Sequence, residues 1–262
     1  VTLLLKLLLA PLLVLASSLA GRRWGAAVAG TLVALPVVAG PILLVTCLEQ
    51  GPRFGARAAS SALLGLVSLA AFTVVFAWCS RRTGWVGSLA VAWLATLALD
   101  LALARLSVPP FAGFAIVLAA AWLALRVFPV VPARSRQRET AWPWWDLPGR
   151  ALATAALVVT VTTAADTVGP SFTGVLAPFP IATSVVAAFV LAHQGTDGAV
   201  QTLRGVPRGL LGFAVFCLLV AVLVEHLGTP VTFAVALAAT PAVQFAWRWA
   251  LSRRAEPALA PG

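Results

Sequence analysis

The sequence predicts an all-α integral membrane protein of about nine transmembrane helices, arranged as two inverted four-helix repeats joined by a linking helix. Three observations predict it. The 262 residues are 61% hydrophobic and 10% charged with a mean hydropathy of +1.00, whereas soluble domains run near half apolar and about a quarter charged. Apolar runs of roughly 20 residues, the length that crosses a bilayer, recur along the whole chain. The second half also repeats the first at a constant offset. Nine spans take about 180 residues and leave about 80 for loops and tails, which excludes a sizeable soluble domain.

Punctuation by Arg, Gly and Pro sets the spans at 3–20, 25–47, 58–79, 85–105, 109–128, 149–166, 170–192, 206–226 and 229–250. The first run contains Lys6 and stops at Arg22-Arg23. It also has features of a secretory signal, because Ser18-Leu19-Ala20 resembles a small-x-small cleavage site. The arginines that follow, and a counterpart of the segment later in the chain, favour a retained helix. The second and seventh runs are interrupted by Gly30 and Pro36 and by Gly174 and Pro180. Cys47, Cys79 and Cys217 lie inside apolar runs at no metal-ligand spacing and read as small core residues. Val1 in a sequence without methionine reads as a translated GTG start, hence a bacterial gene.

The net charge of +10 reports orientation in this context rather than nucleic-acid binding. Alternating the loops of nine spans puts fourteen Lys and Arg residues on one face and four (Lys6, Arg53, Arg57 and Arg105) on the other. The richer face is predicted to be cytoplasmic, with the amino terminus outside and the carboxyl terminus inside a bacterial inner membrane. The stretch 129–148 combines Arg134, Arg136 and Arg138 with Trp142, Trp144 and Trp145, which suits a linker lying on the inner membrane surface.

An offset of 144 residues places Gly25, Gly30, Pro36, Gln50, Gly51, Gly65, Phe72 and Gly84 on Gly169, Gly174, Pro180, Gln194, Gly195, Gly209, Phe216 and Gly228. Lys6 falls on Arg150. The predicted organisation is a first repeat at 1–107, a linking helix at 108–128, the linker at 129–148, a second repeat at 149–252 and a tail at 253–262. The linking helix changes the parity, so the second repeat is inverted, as in many secondary transporters. Gly30, Pro36, Gly174 and Pro180 then read as a transport path or hinge, or alternatively as simple kinks and close-packing sites.

The segment Thr173-Gly-Val-Leu-Ala-Pro-Phe-Pro-Ile181, followed by His193-Gln-Gly-Thr-Asp-Gly198, resembles the GlpM-like family of small inner-membrane proteins. That family has a Gly-Leu-x-x-x-Phe-Pro run in its second helix and a Gly-centred turn before its third. The first half is similar in a more degenerate form, Gly30 to Pro36 and then Glu49-Gln-Gly51. The resemblance covers about two-thirds of the chain and implies a fused pair of units. It implies an architecture like that of drug/metabolite transporters, with a suggested tie to polysaccharide production. Leu35 and Gly40 stand where the second half has Phe179 and Ser184, so any path would be asymmetric.

Asp100 lies within a span, a turn and a half before Arg105, where a carboxylate is costly unless it pairs or faces an interior. Proton coupling and a local contact with Arg105 are the two readings. Lys6 and Glu49 are expected near the outer face as a gating pair, with Arg150 and His193 at the matching inner positions and Gln50 and Gln194 in the matched turns. His193 is either a pH sensor or a solvated loop residue. Asp166, Glu225 and His226 are expected at outer helix ends, for cation or proton uptake or as interfacial caps. No HExxH, Walker-type or Gly-x-Ser-x-Gly motif is present, so no enzyme, cofactor or metal is expected. The expected function is a carrier or permease for a small, lipophilic or neutral molecule, and the alternative is a membrane scaffold for envelope or polysaccharide assembly. The expected partners are the bilayer and an unidentified small molecule, with proton coupling and a homo-oligomer left open and no nucleic acid.

Overall fold

A computed structural model describes residues 2–36, 39–131, 143–168 and 179–255, with the side chains of 2–7, 9, 161–168 and 247–255 left undescribed. The described elements are helices: α1 (Thr2–Trp24), α2 (Ala26–Val33), α3 (Ala39–Gln50), α4 (Pro52–Cys79), α5 (Trp85–Leu103), α6 (Pro110–Val127), α7 (Asp146–Val168), α8 (Ile181–Leu227) and α9 (Thr229–Ala255). The stretches Pro52–Cys79, Trp85–Leu103, Pro110–Val127, Ile181–Leu227 and Thr229–Ala246 are long and apolar enough to cross a bilayer. The chain therefore has the composition and helix lengths of a multi-pass membrane protein.

The helix boundaries differ from the sequence expectation where Pro and Gly intervene. The run expected at 25–47 is broken after Val33, because Pro36 has no amide hydrogen to continue the ladder. The runs expected at 170–192 and 206–226 are joined in α8, which bends at Gly195 (φ 77°, ψ −171°), a conformation that L side chains rarely adopt. The third expected span begins earlier, at Pro52, since Gly51 (φ 87°) turns the chain and proline is at home in a first helical turn.

The two longest helices run antiparallel through the centre. Thr196 Oγ1 donates to the Ser80 carbonyl at 3.0 Å, and at the other end Arg53 Nε lies 3.8 Å from Glu225 Oε2. The Gly51 and Gly195 turns consequently sit at opposite ends of α4, whose 28 residues measure about 42 Å. Phe72, Phe76, Leu63 and Leu66 of α4 and Leu203, Leu210 and Phe216 of α8 are fully buried around this axis.

Around them the pattern is the reverse of a soluble domain. α5 buries Ser88, Ala92, Thr96 and Asp100, and α6 buries Gly113, Val117, Ala121 and Ala124. Their outward positions carry Val91, Leu94, Leu101, Phe111, Trp122 and Leu123, all exposed. Small and hydroxyl residues inside with bulky apolar residues outside is what lipid selects. Hydrocarbon is as apolar as leucine, so helices associate through close packing and hydrogen bonds rather than through hydrophobic burial.

The closest approach joins α2 to α8. A side chain at Gly30 would collide with the Thr202 carbonyl, one at Gly205 with the Ala27 carbonyl, and one at Gly209 would lie 2.7 Å from the Thr31 carbonyl. Thr31 Oγ1 also reaches the Gly205 carbonyl at 3.2 Å. Backbone meets backbone here, a small-xxx-small contact at Gly205 and Gly209. Gly30→Ala and Gly205→Ala are each expected to cost about 1–3 kcal/mol through overpacking, read as a lower melting temperature in detergent. Gly84→Ser, which adds atoms to open space at a helix N-cap, is the control expected to melt unchanged.

Candidate functional site

The largest fully buried side chain is charged. Arg150, 1% exposed, sits in the second turn of α7 between α1 and α8. A buried guanidinium requires a partner anion. Asp146, one turn earlier and itself fully buried, supplies it: Oδ2 accepts from Arg150 Nε at 3.0 Å and from Arg22 Nη2 at 2.6 Å. The carboxylate also suits the amino-terminal end of α7, where helix amides point outward. Arg150 Nη1 donates to Ser18 Oγ at 3.3 Å, and Ser18 donates to the Val14 carbonyl at 2.6 Å. The pairs 22/146 and 18/150 run in opposite directions along the chain, so α1 and α7 are antiparallel.

On its other side Arg150 lies over the Phe189 ring at 5.2 Å. Phe189 stacks with His193, whose Nδ1 is 2.9 Å from the Phe189 carbonyl, and Trp145 closes on the imidazole at 5.3 Å. Arg150 and His193 thus pack on the same Phe189 ring. His193 is a half-buried member of an aromatic stack, not a solvated loop residue. Sequence reasoning passed over Asp146 and Arg22. The Asp146-x-x-x-Arg150 spacing, one helical turn, was the available signal for the first, and no sequence signal pointed to Arg22.

At the opposite end of the bundle the expected pairing of Lys6 with Glu49 lies partly outside the described residues. Glu49 and Gln50 are exposed, and Glu49 makes no ion pair among the described residues; the side chain of Lys6 lies outside them, as does that of Asp166. The ion pair observed there joins Arg53 to Glu225 and is exposed, so it adds little stability. His226 is exposed beside it. Gln194 is half-buried, and its side chain fills the space over Gly198. In the linker Trp144 and Trp145 are exposed, while Arg134, Arg136, Arg138 and Trp142 lie outside the described residues.

Gly174 also lies outside the described residues, whereas Pro36 and Pro180 share one geometry. Each stands at the start of a helical segment: the Pro36 carbonyl accepts from Gly40 N at 2.8 Å and the Pro180 carbonyl from Ser184 N at 2.7 Å. Gly30 belongs to the α2–α8 contact, which is the close-packing reading of that residue.

Beside Pro180, the inward face of α5 gathers the positions that break the similarity of the two halves. Trp93 Nε1 donates to Ser184 Oγ at 2.8 Å, and the Trp93 ring lies 5.8 Å from Phe179. Displaced by 144 residues, the same three positions are Leu237, Gly40 and Leu35. Two turns along α5, Asp100 is 5% exposed and faces the Ser68 hydroxyl of α4. The expected contact with Arg105 is not formed: Arg105 is exposed, and no ion pair joins the two among the described residues, because the seam of α5 turns the carboxylate toward α4. No family model, curated protein or solved structure matches the chain.

The ion cluster gives a stability test. Asp146→Ala strands a buried guanidinium and is expected to cost about 3–5 kcal/mol in detergent unfolding. Asp146→Ala combined with Arg150→Leu should recover most of that loss, and Arg22→Ala, at a side chain 26% exposed, should cost less than Asp146→Ala.

Proposed function

We propose that this protein is a bacterial inner-membrane carrier or permease that moves a small, lipophilic or neutral molecule by alternating access of two inverted four-helix units. The observation that carries the reading is the pair of prolines, Pro36 and Pro180, that stand at matching positions of the two halves. Both prolines open a helical segment with the same backbone bond, and the Gly turns that follow them lie at opposite ends of α4. Interrupted helices at matching positions of inverted halves are where secondary transporters place their pathway, since freed backbone groups are tolerable only where they line an interior. The resemblance to the GlpM-like family, whose Phe-Pro motif falls on Phe179-Pro180, supports the same reading. Indole, hydroxyl and backbone groups at Trp93, Ser184 and Thr96 suit a cargo without strong charge.

The offset that relates the halves also relates the two ends. Arg53 and Glu225 correspond to Asp197 and Arg81, a pair with the signs exchanged, and Thr196 next to Asp197 is already bonded to Ser80 next to Arg81. In an alternating carrier these two ends open in turn. A membrane scaffold for envelope or polysaccharide assembly is the second reading, favoured by the backbone contact of α2 with α8, which leaves no play at Gly30.

Spin labels separate the two. With Cys47, Cys79 and Cys217 replaced, electron–electron distances for Arg53→Cys/Glu225→Cys and Arg81→Cys/Asp197→Cys are expected to show two populations at each end in liposomes. A single narrow distance at both ends is the behaviour of a scaffold and overturns the carrier. Membrane-impermeant thiol reagents should reach Gln50→Cys and Gln194→Cys from opposite sides. Labelling from one side would remove the inversion.

A further inference from the structure

Asp100 and Gln244 stand 144 residues apart on seams that otherwise match, Ser88, Ala92 and Thr96 on α5 with Thr232, Ala236 and Thr240 on α9. The residues they face are also 144 apart: Asp100 faces Ser68 of α4, and the Gln244 side chain lies against Gly212 of α8. Volumes trade across each contact. A Cβ at Gly212 would lie 2.5 Å from Gln244 Nε2, so the longer side chain needs the glycine, while the shorter aspartate leaves room for serine. The chemistry trades as well. Gln244 is a neutral donor, giving Nε2–H to the Gly209 carbonyl at 3.2 Å, whereas an aspartate offers a donor only when it carries a proton.

No counter-charge among the described residues compensates Asp100. Its Oδ1 and Ser68 Oγ have no hydrogen-bond partner among the described residues, and no ion pair reaches it. On α4 the nearest charged residue along the helix toward its amino end is Arg57, exposed and eleven residues from Ser68, about 16 Å of helix. On the same helix Arg81 lies beyond its carboxyl end and is exposed. α8 meets α5 at Trp93 through Phe179 and Ser184, nine residues before His193, and Arg105 beyond the end of α5 is exposed. A bare carboxylate among apolar helices costs far more than a neutral acid.

We propose that Asp100, buried beside Ser68 with no counter-charge among the described residues, is a membrane-embedded proton-binding site, neutral in this arrangement, and that it is the coupling site of the carrier. The coupling half rests on the proposed function; the proton site does not. The step is a protonation alone: one O–H bond forms at the carboxylate with a proton from water and breaks to return it. One site per chain follows, because Gln244 holds the matching position without an ionisable group.

Infrared spectroscopy of the full chain in liposomes tests it. A protonated-carboxyl stretch is expected at neutral pH and should lose the amplitude of one carboxyl in Asp100→Asn but not in Asp166→Asn. In Ser68→Gly the band should shift. The double variant Asp100→Gln with Ser68→Gly copies the Gln/Gly pair, is expected to fold, and should lack the band, which keeps the test open if Asp100→Asn does not fold. A neutral-pH spectrum without the band, or a band that survives both Asp100 variants, overturns the proposal. Vesicles containing a pH-sensitive dye distinguish the other failure. If the band is assigned to Asp100 but an imposed proton gradient decays equally in wild type and variant, the proton site stands and coupling falls; if the spin-label distances are also single, the carrier reading falls with it.

Discussion

The contact on which the bundle depends is the seating of α2 on α8, where Gly30, Gly205 and Gly209 let two backbones touch. A chain with lipid on its outside gains little from burying leucine, since hydrocarbon offers the same environment, so close approach has to supply the attraction. Side chains are excluded where α2 crosses α8, and dispersion and the Thr31 bond to the Gly205 carbonyl take their place. With α2 fixed in this way, the chain leaves the helix after Val33 and α3 then runs along α4.

A second constraint is electrostatic. Arg150 is fully buried and tied to Asp146, to Ser18 and to the face of Phe189, so α1, α7 and α8 are joined through one guanidinium. Replacing such a cluster with apolar residues can leave stability unchanged, whereas removing one member leaves a charge without compensation. The cluster therefore specifies which helices meet more than it adds to their affinity. It sits beside Trp145 and His193, while at the opposite end the ion pair among the described residues, Arg53 with Glu225, is exposed.

Four positions at which the halves differ lie near one another on the α5 side. Trp93 touches both Phe179 and Ser184, and Asp100 lies two turns from Trp93 on the same helix. Their counterparts, Leu237, Leu35, Gly40 and Gln244, are aliphatic, small or neutral.

Much of the framework was legible in the amino acids. Hydropathy marked the helices because lipid rewards long apolar runs, and Pro36, Gly51 and Gly195 marked the breaks because proline lacks a donor and these glycines adopt positive φ. The 144-residue spacing was equally visible, although its extension to the buried seams of α5 and α9 was not: hydroxyls and alanines are too common in membrane helices to be noticed before one knows which face is inward. Pairing across the chain was hidden for the same reason. That Arg22 meets Asp146, that Asp100 turns from Arg105 toward Ser68, and that Gly30 serves a helix crossing are outcomes of helix rotation and position, which a one-dimensional hydrophobic pattern leaves free and only mutual packing fixes.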